Sequence, residues 1–243
     1  MARKRLRKAL AVAFFGFAAV LLGLAAALAG TQAATSSAYD SLARAAASSP
    51  ESEGIDWSGL LEQNGECVAW LEVAQTPISY PVVQAGANKA ADYYLHHDFW
   101  GAYSSLGCPY LDARAQADGL HLLVYGHHLS AADEMFTCIY RTYQQDSFDT
   151  VGEARWWTPA GGDTAFTPVF ALSVDKSYTA IQTFDFSSNA ELRAWLYALA
   201  QDATAFSSDW DERCASATRV LTLVTCSSTL SGQRPRTLLL FVA

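Results

Sequence analysis

Charge is scarce in this 243-residue chain: Asp, Glu, Lys and Arg together make up 16% of it, and none falls between Ala9 and Gly30. Basic residues are the scarcer sign, 16 against 24 acidic ones. Five of them, Arg3, Lys4, Arg5, Arg7 and Lys8, crowd ahead of the uncharged stretch, so from Thr31 onward the formal charge is −13. Without a basic footprint the chain is not a nucleic-acid binder. No C-x-x-C pair occurs, and His96, His97, His121, His127 and His128 keep no usual zinc spacing. A zinc set built from His121, His127, His128 and a cysteine is therefore set aside, and no metal is expected. No internal repeat is visible. Cysteine is sparse and odd in number: Cys67, Cys108, Cys138, Cys214 and Cys226. In an extracytoplasmic protein an odd count leaves at least one thiol unpaired. The four other than Cys226 read as small buried hydrophobes.

Apolar residues, by contrast, are abundant at 51%, ample for a folded core. A helix over the uncharged run, at about 1.5 Å per residue, crosses a hydrocarbon core of roughly 30 Å. The positive charges before it place the N-terminus in the cytoplasm and the rest of the chain outside. Ala27-Leu28-Ala29 has the form of a cleavage site, but the run exceeds the ~7–15 residues of a signal-peptide core, which favours a retained anchor. The expected organisation is a cytoplasmic basic tail over 1–8, a transmembrane signal-anchor over 9–30 and an Ala/Ser-rich stalk or short helix over 31–54. One folded domain follows over 55–243.

Within that domain the pattern is mainly β. Alternating or short apolar runs occur at Cys67–Val73, Pro77–Val83, His121–Gly126, Ala154–Thr158, Phe166–Val174, Arg219–Cys226 and Thr237–Val242. Turn residues separate them, as in a barrel or sandwich. Helical spacing appears over Asp133–Gln144, through Met135, Phe136, Ile139, Tyr140 and Tyr143. It appears again over Asn189–Phe206, through Leu192, Trp195, Leu196, Leu199 and Phe206. Both stripes read as core packing.

Two apolar runs near the C-terminus carry the chemistry. Alternation along the first puts Val220, Thr222, Val224 and Cys226 on one face and Leu221, Leu223 and Thr225 on the other. A loop over Ser227–Pro235 leads to Arg236, which opens the last run. If the runs pair as an antiparallel hairpin, Cys226 faces Arg236, and opposed Cβ atoms stand ~4.5–5.5 Å apart. A cation beside a thiol favours the thiolate, and a guanidinium donates hydrogen bonds to an oxyanion. Arg234 competes for that role from the loop. Acyl transfer on cysteine also needs an acid–base group. His127, just past the apolar run that ends at Gly126, stands where one is wanted. A cysteine protease using water is disfavoured, since no C-G-x-C-W-like segment is present.

These residues resemble the sortases, cysteine transpeptidases of Gram-positive bacteria, and within them class B. The likeness runs from about Ile55 to the end. It rests on WLEV and ISYPVVQ (Trp70–Gln84), YYLHHDFWGAYSSLGCPYLD (Tyr93–Asp112), LLVYGHHL around His127, MFTCIYRTYQQDSF (Met135–Phe148), TLVTC ending at Cys226, and RTLLLFV from Arg236. Any one is a weak signal; six in the right order are a strong one.

The resemblance implies a closed eight-stranded β-barrel with an N-terminal helix, one or two peripheral helices and no cofactor. It implies Cys226 as nucleophile, His127 as proton donor to the leaving amine, and Arg236 at the oxyanion, with Leu95 and Tyr125 lining a peptide groove. The substrate would be the C-terminal sorting signal of exported proteins. The amine acceptor would be a cell-wall peptidoglycan precursor or, in the alternative, a pilin lysine. An inactive, membrane-anchored peptide-binding module is the reading from another class. Two departures stand out: His128 follows His127 where the family has asparagine, and Ala91 replaces an asparagine four residues before Leu95. The first leaves open a shared acid role for His128; the second points to a different recognised peptide.

Overall fold

A computed structural model describes residues 2–46, 54–129, 133–227 and 234–243, with the side chains of 2–13 and 28 left out. In chain order its strands are β1 (Cys67–Val73), β2 (Ser79–Val83), β3 (Tyr110–Leu111), β4 (His121–Tyr125), β5 (Ala154–Trp157), β6 (Asp163–Asp175), β7 (Ala205–Phe206), β8 (Val220–Cys226) and β9 (Pro235–Val242). They pair in the order β5-β1-β2-β3-β4-β8-β9-β6, and β5 pairs again with β6. That last pairing closes eight strands into a barrel. The two-residue β7 hangs on the outside of β6, opposite Phe170 and Ala171.

The β2–β3 and β4–β8 neighbours are parallel. Parallel pairs need long crossovers, and the chain supplies them over 84–109 and 126–219. Prolines fall where a missing N–H is tolerated. Pro81 lies in the part of β2 that β3 does not reach, and Pro168 sits at the irregularity in the β6–β9 register. The alternation expected along the eighth strand is present. Leu221 and Leu223 join one core cluster with Ala69, Leu71, Val124, Phe166 and Phe241. Val220 and Val224 join a second with Phe170, Leu172 and Leu238.

Five α-helices accompany the barrel among the described residues: α1 (Ala2–Ala46), α2 (Trp57–Gln63), α3 (Gln145–Phe148), α4 (Asn189–Ala200) and α5 (Trp210–Ser216). Asp56 caps α2 by accepting from the Gly59 N–H, and Ser188 caps α4 by accepting from Glu191. Leu192, Leu196 and Leu199 of α4 cover the second cluster.

Three expectations are corrected. The helix over Asp133–Gln144 is instead a 3₁₀ turn at Thr137–Ile139 followed by α3. Met135, Phe136 and Ile139 are buried, but Met135 has φ of 56°, which stops a right-handed helix from starting there. The second helix ends at Ala200, not Phe206. The Thr204 and Ser207 N–H groups bond the β6 carbonyls of Ala171 and Val169, and that capture turns 205–206 into β7. Packing also begins well before Ile55. Tyr39, Leu42 and Ala46 of α1 recur at helical spacing and are buried against the barrel. Tyr39 hydroxyl donates to Gly107 O (2.8 Å) and accepts from Phe99 N–H (2.9 Å). The stretch expected as a stalk or short helix is helical through Ala46, with its last turns docked; residues 47–53 lie outside the described part.

Upstream, α1 holds a stretch long and apolar enough to cross a membrane by length and composition. Phe14, Phe15 and Phe17 on it are 70%, 72% and 64% exposed.

Candidate active site

Cys226, His127, Arg236, Leu95 and Tyr125 meet at one end of the barrel. Antiparallel pairing of β8 with β9 sets Cys226 directly opposite Arg236. Parallel pairing of β4 with β8 sets Tyr125 opposite Val224, so the chain leaving β4 passes beside the end of β8. Gly126 ties the two together: its N–H donates to Val224 O (3.0 Å) and its carbonyl accepts from Thr225 Oγ1 (2.9 Å). A Cβ on Gly126 would lie 2.6 Å from the Phe136 ring, so only glycine lets the strand exit there.

His127 follows. Its Nε2 lies 2.6 Å from the carbonyl of Leu95. A carbonyl only accepts, so Nε2 carries the proton and Nδ1 is the basic nitrogen of the neutral ring. Burial lowers the His127 pKa below the usual histidine value, against the bond to Leu95, which raises it, and His96 lowers it further. The Leu95 carbonyl is itself held by a tight turn. Gly107, at φ +63°, passes so close that a Cβ would meet the Tyr94 and Leu95 carbonyls at 2.7 and 2.8 Å and the His127 ring at 3.2 Å.

A cleft of about 290 Å³ is lined by Cys226, His127, Arg236, Leu95 and Tyr125 together, with Asp92, Tyr110 and Lys176 among the others. Tyr125 stacks on Tyr110 (centroids 5.2 Å apart) and donates to Asp112 (3.2 Å). Arg114 grips that Asp112 at both oxygens, 2.8 Å each. A second hollow of about 370 Å³, lined by Ala91, Arg114, Tyr110 and Tyr125 among others, shares its tyrosines with the first. Ala91, the second departure, therefore lies on the wall of the hollow next to the cleft.

The two arginines differ in their surroundings. Arg234 is spread on Asp175, with Nε and Nη2 each 2.6 Å from a carboxylate oxygen, and that pairing holds the Asp175 carboxyl well below the usual range. Arg236 lines the cleft; Arg234 does not. Two other histidines are held by hydrogen bonds outside the cleft. His121, at the far end of β4, is buried, donates from Nδ1 to Thr183 O (2.8 Å) and accepts at Nε2 from Thr222 Oγ1 (2.9 Å). His128 donates from Nδ1 to the Cys226 carbonyl (2.9 Å). Among the described residues no three His, Cys, Asp or Glu side chains gather as a metal set.

All five cysteines are free thiols. Cys67, Cys108 and Cys214 are buried as expected, and burial pushes the Cys67 and Cys214 thiols up to about 12. Cys138 departs from expectation: the residue is exposed on the 3₁₀ turn between buried Thr137 and Ile139, although burial of its thiol still pushes the pKa up to about 11. Lys176, Tyr110 and Asp92 were missed as site residues from sequence. Tyr110 stood within the resembling segment; Lys176 follows β6 with no motif around it, and the pairing of β6 with β9 brings it to the cleft.

No protein-family model matches the chain. Sortase B of Listeria monocytogenes is 24% identical over 180 residues, covering 73% of this chain and 69% of the relative. The structure of Clostridium perfringens sortase B superposes with a TM-score of 0.65 at 23% identity, covering 76% of this chain and 97% of the other. A Staphylococcus aureus sortase B–substrate complex gives 0.64 at 20% identity, covering 76% and 83%. The architecture is the sortase barrel. These relatives, in sequence and in structure, are class B sortases.

Proposed function

We propose that the chain is a membrane-anchored cysteine transpeptidase of the sortase B type. The observation that carries this reading is the convergence of Cys226, His127 and Arg236 on one cleft. The resting His127 is neutral, because burial lowers its pKa, and it takes the proton of the Cys226 thiol. The thiolate adds to a peptide carbonyl within a C-terminal sorting signal of an exported protein. Arg236 donates hydrogen bonds to the oxyanion of the tetrahedral intermediate. On collapse the C–N bond breaks, His127 passes its proton to the leaving amine, and a thioester remains on Cys226. A second amine attacks the thioester, gives its proton to His127 and releases the joined product, and the proton returns to the thiolate. Leu95 and Tyr125 line the groove for the peptide, and a cell-wall peptidoglycan precursor supplies the amine. The uncharged part of α1 holds the enzyme at the outer face of the cell membrane, where exported chains and lipid-linked precursors meet.

The test is mass spectrometry of residues 31–243 mixed with a library of sorting-signal peptides, with and without an amine. An adduct on Cys226 that becomes an amide when amine is added establishes the transpeptidase and identifies its motif. A folded protein that forms no adduct with any peptide supports the inactive binding module instead.

A further inference from the structure

His128 does not look into the cleft; it braces the residue that does. Its Nδ1–H donates to the Cys226 carbonyl (2.9 Å), and its ring stacks on Tyr140 with centroids 4.1 Å apart and planes 26° from parallel. Tyr140 is also engaged from the other side. Its carbonyl accepts from Thr237 Oγ1 (2.5 Å), whose single proton is thereby committed. Ser227 must then be the donor in its bond to Thr237 Oγ1 (2.9 Å). Ser227 follows Cys226, and its N–H donates to Pro235 O (3.2 Å). A ring of contacts therefore closes around the nucleophile: the Cys226 carbonyl, His128, Tyr140, Thr237, Ser227 and back to Cys226.

Such a brace answers a local need. Cys226 is the last residue of β8. Strand pairing holds one side of the nucleophile, through Arg236 on β9, and β4 has ended at Tyr125. Nothing in β4 can pair with Cys226, so its carbonyl takes a side-chain donor instead. We infer that His128 is a positioning residue: through the Nδ1–H bond and the stack on Tyr140 it fixes the Cys226 backbone at the strand end, and with it the direction from which the thiol reaches the substrate carbonyl. This rests on Cys226 being the nucleophile. It separates the adjacent histidines into one that moves protons, His127, and one that holds the attacking residue.

Two replacements divide the contacts. Asparagine places an amide donor where the Nδ1 edge lies, so His128→Asn keeps the bond and loses the stack. Phenylalanine keeps the stack on Tyr140 and loses the donor. Full-length enzyme in detergent is assayed for transfer, and separately for alkylation of Cys226 by iodoacetamide, read site by site with exposed Cys138 as an internal control of fold. His128→Phe is expected to lower kcat about tenfold with KM unchanged, the signature of a misaligned attack. It should slow Cys226 alkylation while leaving Cys138 unaffected. His128→Asn is expected to restore both to within about twofold of the parent. The inference is overturned if His128→Phe matches the parent in both assays, or if His128→Asn is as slow as His128→Phe. It is also overturned if His128→Asn flattens a limb of the pH profile, which is the mark of a shared acid role. Alkylation needs no peptide: if it responds as expected while the parent transfers no peptide, the brace stands and the transpeptidase reading falls.

Discussion

Replacing Cys226 by alanine removes a sulfur from a half-buried strand end and leaves every backbone bond around it in place. Thermal unfolding of Cys226→Ala should match the parent, while peptide adduct and transfer fall by more than about a thousandfold. Persistent product would assign the nucleophile elsewhere. The arginines give a sharper contrast at the same scale. Arg236→Lys keeps the charge but loses the planar fork, and transfer should fall about a hundredfold. Arg234→Lys weakens only an exposed pairing with Asp175, so steady-state rates should stay within about twofold. The reverse outcome would exchange the two roles. The pairing of Cys226 with Arg236 was legible in the sequence because a hairpin of two apolar runs leaves little freedom in register. The partner of Arg234 was not, since Asp175 is 59 residues away and reaches it only through the pairing of β6 with β9.

Among the elements, the turn around Leu95 and the exit of β4 do the most to set the site. Gly126→Ala drives a methyl group into the Phe136 ring, and overpacking of this kind costs about 1–3 kcal/mol. Urea unfolding should report it, with transfer impaired beyond the loss of folded protein because His127 is the next residue. Gly107→Ala acts on the same histidine from the other side, by pushing the Leu95 carbonyl away from Nε2. Tyr39→Phe tests the docking of α1: it leaves the Phe99 N–H and Gly107 carbonyl without their shared partner, at a cost of about 1–3 kcal/mol. An unchanged unfolding midpoint would mean that α1 packs without need of that hydroxyl. The stripe of Tyr39, Leu42 and Ala46 was present in the sequence but lay in an Ala/Ser-rich stretch, where small residues blur the contrast between faces. The helix misread over Asp133–Gln144 had the right period and the wrong backbone. Burial of Met135, Phe136 and Ile139 is achieved by a left-handed residue and a single tight turn, and periodicity does not distinguish the two.

For the molecule as a whole, the buried histidines set the response to acid. Burial lowers the pKa of His121 to about 4, and it lowers those of His127 and His128. The folded chain thus binds these protons less readily than the unfolded one, whose histidines titrate near ~6.5. The stability at stake is complete above that pH and is lost as pH falls, for His121 through to about 4. His121 alone accounts for on the order of 3 kcal/mol. Unfolding free energies at successive pH values should fall through this window before the carboxylates titrate, and His121→Asn should flatten the slope. A parent profile that is flat there would show that His121 stays accessible to protons.

The sequence by itself determined the strand-forming runs, the uncharged span ahead of them and the hairpin that sets Cys226 against Arg236. These depend on periodicity and on neighbours close along the chain, which are local properties. Tertiary structure alone decided the rest: that β5 meets β6 to close the barrel, that Leu95 offers its carbonyl to His127, that His128 turns to Cys226, and that Lys176 reaches the cleft. Each joins residues separated by long stretches of chain. Their meeting depends on how two apolar clusters are buried on the two sides of one closed sheet, and no local pattern encodes that.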